Sequence, residues 1–451
     1  MIERMKAVAA AGAVAAFWLA VWVFVAALVA QPLILPGPGA VVVALLRLVC
    51  DAGTWAILAG SGARILGGLA LAAVCGGLLA GISSRSRAFA RLVAPALSFV
   101  KATPVACVVV LLLIWLGSAR VSIAAVFLMA LPGVYFSLVE GLAQVDQPLE
   151  QMFRLHGVQG WRLFCAHTWR EVLPFVLSCA RAVIGMSWKA GVAAELIGMA
   201  VGTVGERIYQ AKLLIETADL LAWTVLVVAA SWACERVLVW LLRVSGPVAW
   251  GAAVRAHRHG LRGRARAAGD GAAAELALAV GDRAPWAPAL DGLVLHVPAG
   301  GRTCVMGASG VGKSTLLALV AGECAPCSMV FQDVRLVEDA SALDNVLVCA
   351  DARVNTSSAA ALLRLLVPGI DVHARVAELS GGQRRRVEIA RALLCPGGAV
   401  ILDEPFTGLD IAARDACTEV VLDLLDGRML LLATHDSADA RALNISDIIT
   451  L

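Results

Sequence analysis

Asp403 and Glu404 stand side by side at the end of the uninterrupted apolar run 399–402. A run of this kind reads as a strand buried on both faces of a parallel sheet, and ligands of such sheets bind at the C-terminal edge of the strands. One carboxylate there can serve a magnesium ion and the other a water. Upstream, Gly307, Ala308, Ser309, Gly310, Val311, Gly312, Lys313 and Ser314 fit G-x-x-x-x-G-K-[ST] at every fixed position,. The glycines let backbone N–H groups curl around phosphate oxygens, Lys313 adds a point charge, and the Ser314 hydroxyl can ligate magnesium. Lys313 is the only lysine after Lys212 in a chain that otherwise uses arginine, which suits a site needing a compact ammonium rather than a planar fork. Leu379, Ser380, Gly381, Gly382 and Gln383 place a hydroxyl and two glycine amides ahead of an amphipathic helix. That is a second position where a helix N-terminus favours a phosphate.

The elements that must hold these groups are legible around them. The apolar stretch 302–306 predicts the strand that enters the glycine-rich loop, and the stretch from Thr315 to Val320 predicts the helix that leaves it,. A lone loop of this type is compatible with kinases and GTPases. Here it is followed in order by V-F-Q-D with Gln332, by L-S-G-G-Q, by L-D-E-P, by Gly408-Leu409-Asp410 and by T-H-D with His435. On these motifs residues 301–451 resemble the nucleotide-binding domain of an ABC transporter.

That resemblance implies roles. ATP would lie on residues 307–315, Thr315 included, with magnesium held by Ser314, Gln332 and Asp403. Glu404 would hold the attacking water, His435 would contact the γ-phosphate, and Gln332 and Lys313 would complete the catalytic set. Trp286 stands where the family stacks an aromatic ring on adenine; a surface tryptophan in a Pro-rich loop is the other reading. The signature Ser380, Gly381, Gly382 and Gln383 would complete the ATP site of a partner chain, so a head-to-tail homodimer is implied. Lys313 and Gln332 are too close in sequence to admit the strand pair usual between these motifs, which implies a trimmed peripheral sheet.

The rest of the chain has a different composition. Sixty per cent of the 451 residues are hydrophobic and the mean hydropathy is +0.82, far above an ordinary soluble domain. Apolar spans are predicted over 7–30, 55–82, 92–116, 121–142, 173–199 and 220–242, each long enough to cross about 30 Å of hydrocarbon. The first is read as a retained span, since no clear cleavage site follows it. Cations gather at one set of ends, including Arg85, Arg87, Arg91, Arg154, Arg162, Arg170 and Arg243, which places both termini and the ATPase half in the cytosol of a multi-pass plasma (inner) membrane protein,. The expected fold is an all-α transmembrane bundle of six spans fused to an α/β P-loop ATPase. The expected divisions are a permease domain 1–245, a basic flexible linker 246–272 and an ATPase domain 273–451.

Between the fourth and fifth spans, residues 147–174 are too polar for lipid. With Gly157 and W-R-L-F they resemble the cytoplasmic coupling loop of binding-protein-dependent importer permeases. The family's E-A-A start is replaced by Gln151, Met152 and Phe153, and its Leu-Pro pair falls one turn late at Leu173 and Pro174. The stretch W-K-A-G-V-A-A-E-L-I-G, 188–198, resembles the nitrate, sulfonate and taurine group. Import of a small, possibly anionic solute from an external binding protein is what this implies; export, or an ATPase that moves no solute, is the alternative. Lys189 and Glu195 are read either as functional charges of the bundle interior or, in the blander alternative, as a snorkelling Lys189 or a pair that supports a helix break. The arginines of 246–272 suit anionic membrane lipids, and the net charge of +3 implies no nucleic-acid partner. The 12 cysteines predict no disulfide framework. Cys324 and Cys327 lack a second ligand pair for zinc.

Overall fold

The computed structural model describes residues 2–267, 276–280, 290–308, 310–325, 327–351 and 353–451. They form two compact units, Met1–Gln144 with Val172–Ser245 and Val145–Glu171 with Gly246–Leu451.

The first unit is helical. Among the described residues, five helices are long and apolar enough to cross a membrane, and a bent pair, Arg87–Ala102 with Val105–Leu116, makes a sixth candidate. This pair corrects the expectation of a continuous span over 92–116, because its two arms meet at 103°. Pro104 supplies no N–H and forces Thr103 into an extended conformation, φ −76° and ψ 131°, so the first arm must end there. Small residues bring the helices together. A Cβ on Gly68 of helix Ala52–Arg85 would lie 2.5 Å from the Ile123 carbonyl oxygen of helix Ser118–Ala143, the close backbone approach on which membrane helix packing relies.

Glu195 is fully buried in this unit. It accepts hydrogen bonds from Ser61 Oγ at 2.8 Å, Arg64 Nε at 3.1 Å and the Gly205 N–H at 3.4 Å, and Ser61 Oγ in turn accepts from the Val204 N–H at 3.0 Å. Glu195 ties three helices, and together with Ser61 it satisfies orphan donors at the start of helix Val204–Leu213,. Lys189 is exposed.

The second unit is built on a five-stranded parallel sheet. Strands β1 (Leu276–Ala279) and β2 (Val294–Val297) form a separate antiparallel pair. Strands β3 (Arg302–Met306), β4 (Ser328–Val330), β5 (Ala399–Asp403), β6 (Met429–Thr434) and β7 (Asp447–Thr450) lie in the order β4-β5-β6-β3-β7. Strands β5 and β6 are buried along their whole length, as their unbroken apolar sequences require. The register pairs Asp403 with Ala433 and Met306 with Thr434. The residues that follow β3, β5 and β6 therefore emerge together at one edge.

The stretch 147–174, expected to be polar and outside lipid, folds largely with this unit. Helix Gln147–Leu155 buries Leu149, Met152 and Phe153 in the same apolar cluster as Leu316, Met329 and Phe331. The Cys327 N–H donates to the Leu155 carbonyl at 3.0 Å. Gly157 takes φ +80°, a left-handed turn that glycine adopts without strain.

Where a flexible linker is expected over 246–272, the described residues 246–267 are helical, as the end of helix Thr217–Ala267. Alanine, arginine and leucine are strong helix formers, and Trp250 and Ala253, one turn apart, are buried in the apolar cluster of the second unit. Arg170 lies over the Trp250 ring, 5.0 Å from its centroid.

Candidate functional site

Strand β3 delivers the chain into the loop 307–312, and helix Lys313–Glu323 leaves it. Gly310 and Gly312 adopt φ +83° and +112°, backbone states that side chains with a Cβ rarely take. Gly307 is constrained by space instead: a Cβ would lie 2.9 Å from Val311 Cγ1 and 3.1 Å from the Leu451 carbonyl oxygen. Lys313 is buried, and its Nζ donates to the carbonyls of Gly307 at 2.8 Å and Ala308 at 3.0 Å. The ammonium thus closes the loop on itself beside the N-terminus of an eleven-residue helix, where backbone N–H groups attract anions. Val311 and Thr315 lie in the loop and the first turn of that helix.

Asp403 ends β5 and is almost fully buried, 3% exposed. Burial pushes its carboxyl above the ordinary aspartate range, and the neighbouring Glu404 charge pushes the same way; the hydrogen bond from the Ser314 side chain, Lys313 and Arg385 pull it down. A buried carboxylate next to a hydroxyl is an oxygen pair that suits a hard divalent cation. Among the described residues no three His, Cys, Asp or Glu side chains converge on a metal position, so such a cation would take most of its ligands from phosphate and water.

Glu404 has φ +44°, a left-handed backbone in a residue that gains nothing from it locally. Its N–H is held by the Ala433 carbonyl at 2.9 Å, so the parallel strand beside it fixes the turn. The Glu404 carboxylate points to His435, with Oε1 3.4 Å from Nδ1. The chain around His435 is braced from helix Ile411–Leu424: Arg414 pairs with Asp436 at 3.2 Å and Asp439 at 2.6 Å. Thr434 Oγ1 donates to Asp439 at 2.6 Å and accepts from the Asp436 N–H at 3.1 Å. Asp410 caps the bracing helix through the Ala413 N–H at 2.8 Å.

Ser380 and Gln383 form a reciprocal capping box on helix Gly381–Leu394: the Gln383 N–H donates to Ser380 Oγ at 3.3 Å and the Ser380 N–H to Gln383 Oε1 at 2.9 Å. Ser380 and Gly381 are exposed, so this helix start presents its first turn to the surroundings. Gln332 is exposed, and its carbonyl is held by the Arg385 guanidinium, which also binds the Phe331 carbonyl.

The structure brings the glycine-rich loop, Asp403, Glu404 and His435 to one sheet edge. Ser309 and Trp286 fall outside the described residues. The sequence reading missed Arg385, Glu388 and Arg391, which lie buried behind Gln332; the signal was the carboxylate in V-E-I with an arginine three residues to either side, a spacing that puts all three on one helix face.

Residues 73–247 match the family described as "Binding-protein-dependent transport system inner membrane component", and residues 290–407 match "ABC transporter". The chain is similar to the aliphatic sulfonates import ATP-binding protein SsuB of Escherichia coli strain K12, 36% identical over 176 residues that make up 34% of this chain and 68% of that protein. It is likewise similar to SsuB 1 of Rhizobium johnstonii, 36% identical over 175 residues, and spans 64% of that relative's length. A solved post-hydrolysis structure of the ATP-binding cassette MJ0796 overlaps with a TM-score of 0.33 at 23% identity, over 40% of this chain and 92% of that one. With a permease-type membrane domain and an ATP-binding cassette in one polypeptide, the chain belongs to the ABC transporter family.

Proposed function

We propose that the chain is an ATP-driven importer of a small anionic solute of the sulfonate class, delivered by a separate external binding protein. It acts as a homodimer in the plasma membrane, with both termini and the ATPase unit in the cytosol. The observation that carries this reading is the shared core of helix Gln147–Leu155 with the ATPase strands. A segment from between two membrane spans is built into the nucleotide-binding unit, so a change in that unit reaches the membrane helices directly. The likeness to sulfonate-import ATP-binding proteins supports the solute class.

In this reading ATP lies on residues 307–315, with Lys313 and the loop N–H groups neutralising its phosphates. Ser314 and Asp403 fit a magnesium ion, joined by Gln332, and the ion would offset phosphate charge. Glu404 orients a water and takes its proton as the water oxygen bonds to the γ-phosphorus and the bond to the bridging oxygen breaks, leaving ADP and phosphate. His435, beside Glu404, donates to the γ-phosphate. Ser380, Gly381, Gly382 and Gln383 of a second copy close the site over the nucleotide, and Trp286 offers a flat face to adenine.

Reconstitution of the full chain into vesicles, with and without a purified sulfonate-binding protein on the outer side, tests the proposal. ATP-dependent accumulation of radiolabelled ethanesulfonate or taurine is expected. ATP hydrolysis without accumulation of either, or accumulation that needs no binding protein, would overturn it.

A further inference from the structure

Behind the exposed Gln332 lies a buried cluster of charge on the signature helix. Glu388 and Arg391 are wholly buried on helix Gly381–Leu394, and Arg385 is nearly so. Glu388 pairs with Arg385 at 3.0 Å and with Arg391 at 3.3 Å, and accepts the Arg335 N–H at 3.2 Å. Each arginine then reaches across to the segment after β4. Arg385 binds the carbonyls of Phe331 and Gln332, and Arg391 binds the Arg335 carbonyl. From that segment the Arg335 guanidinium lies 3.7 Å from the centroid of the Phe331 ring and donates at 3.1 Å to the carbonyl of Pro148, in helix Gln147–Leu155.

Three features say that this is more than packing. A carboxylate buried without water is costly unless its geometry is satisfied, and this one spends its oxygens on two guanidiniums and a backbone amide. The partners of those arginines are main-chain carbonyls of residues 331, 332 and 335, so the cluster fixes backbone positions on both sides of Gln332. The same segment then touches the helix that lies between two membrane spans. Apolar side chains would fill the volume without defining any of these registers.

We propose that Glu388 is a positioning residue: through Arg385 and Arg391 it locks the Gln332 segment to the signature helix, and through Arg335 it ties that segment to Pro148. The state of the nucleotide site and the position of helix Gln147–Leu155 then change together. This rests on the transporter reading above and names the part of the chain that carries its coupling.

Two variants of the full chain in lipid nanodiscs test it. Glu388→Gln keeps the shape and one acceptor while removing the charge that orders both arginines. Its kcat for ATP is expected to fall about 10- to 100-fold, the scale of a small misplacement of reacting groups, with KM within about two-fold because the glycine-rich loop is untouched. Arg335→Met removes only the link to Pro148 and the stacking on Phe331, since Glu388 and Arg391 bind the main chain of residue 335. It is expected to retain kcat within about two-fold. In the wild type, trapping with ATP and vanadate should alter hydrogen exchange in residues 147–155, and Arg335→Met should lose about half or more of that difference. Wild-type kcat in Glu388→Gln overturns the proposal. So does a nucleotide response of residues 147–155 that is missing in the wild type or undiminished in Arg335→Met. If Glu388→Gln does not fold, the Arg335→Met measurement decides alone. Failure of solute uptake by the wild type would sink the importer reading and leave both measurements standing.

Discussion

His435 Nδ1 lies 3.4 Å from Glu404 Oε1 across the ends of two adjacent parallel strands. Glu404 is largely shielded and His435 is open, with side-chain exposures of 15% and 66%. The carboxylate thus has a fixed neighbour on one side while the imidazole retains a face for a ligand. In the proposed mechanism the first group handles water and the second handles phosphate.

Glu404→Gln should keep nucleotide binding and lower the hydrolysis rate about 10²- to 10⁴-fold, the contribution of a positioned general base. His435→Ala should also reduce kcat. If the two act as one unit, the double variant will be little slower than Glu404→Gln alone. Single-turnover phosphate release from the three proteins measures this, and a double variant slowed by the product of the single effects would separate the two roles.

Asp403 gives a prediction about stability. Its folded-state carboxyl titrates above the ordinary aspartate value, chiefly because it is buried. A raised pKa means that the folded state holds its proton more tightly than the unfolded chain does. The associated stability is present below the unfolded value and is lost as pH rises through the folded value. At neutral pH the charged Asp403 therefore weighs against the nucleotide-free fold. Asp403→Asn should raise the nucleotide-free thermal midpoint near pH 7.5, by roughly 2–4 °C for each kcal/mol recovered, and the advantage should shrink as pH is lowered into the aspartate range. The same variant should lose the stabilisation that ATP with magnesium gives the wild type. A midpoint at pH 7.5 equal to or below that of the wild type would contradict this account.

The glycine-rich loop gives a third. At Gly312, φ +112° costs an alanine on the order of 1–3 kcal/mol, and at Gly307 a Cβ would lie 2.9 Å from Val311 Cγ1. Gly312→Ala and Gly307→Ala should each weaken ATP binding about tenfold or more, since 1.4 kcal/mol is a factor of ten. Gly322→Ala is the control: in the same helix an added Cβ meets nothing within 4 Å. Titration with a fluorescent ATP analogue would measure all three, and unchanged affinity in Gly312→Ala would remove the loop's backbone shape from the argument.

The candidate site was legible in the sequence because a loop shaped for phosphate tolerates few substitutes. A glycine at +112° and an ammonium closing its own loop leave fixed letters at fixed spacing. The sheet edge was legible because β5 and β6 are buried on both faces and read as continuous apolar runs. What failed to show were features that depend on neighbours far away in sequence. Hydropathy summed across Thr103 and Pro104 predicted one span where the backbone turns through 103°. The basic stretch 246–272 reads as a linker, and the burial of Trp250 and Ala253 in the ATPase core, which the stretch by itself does not reveal, supports a helix there. The spacing of Arg385, Glu388 and Arg391 stood in the sequence, but not the backbone of Arg335 that completes the cluster.

The last prediction concerns assembly. Each copy holds one glycine-rich loop and one exposed signature turn at Ser380 and Gly381, which motivates a homodimer with two shared ATP sites. Lys313→Ala removes the phosphate charge, and Ser380→Arg places bulk where the partner's nucleotide would sit. Each variant alone should be nearly inactive. In a mixed dimer one shared site carries both lesions and the other carries neither, so co-expression should restore hydrolysis at one site per mixed dimer. If each chain instead completed its own site, every site would keep a lesion and no activity would return. Lack of recovery would also follow if both sites had to fire together. A cysteine at Ser309 crosslinked to one at Gly382 separates these outcomes: a link between chains means shared sites that fire jointly, and a link only within one chain means that the dimer proposed here does not form.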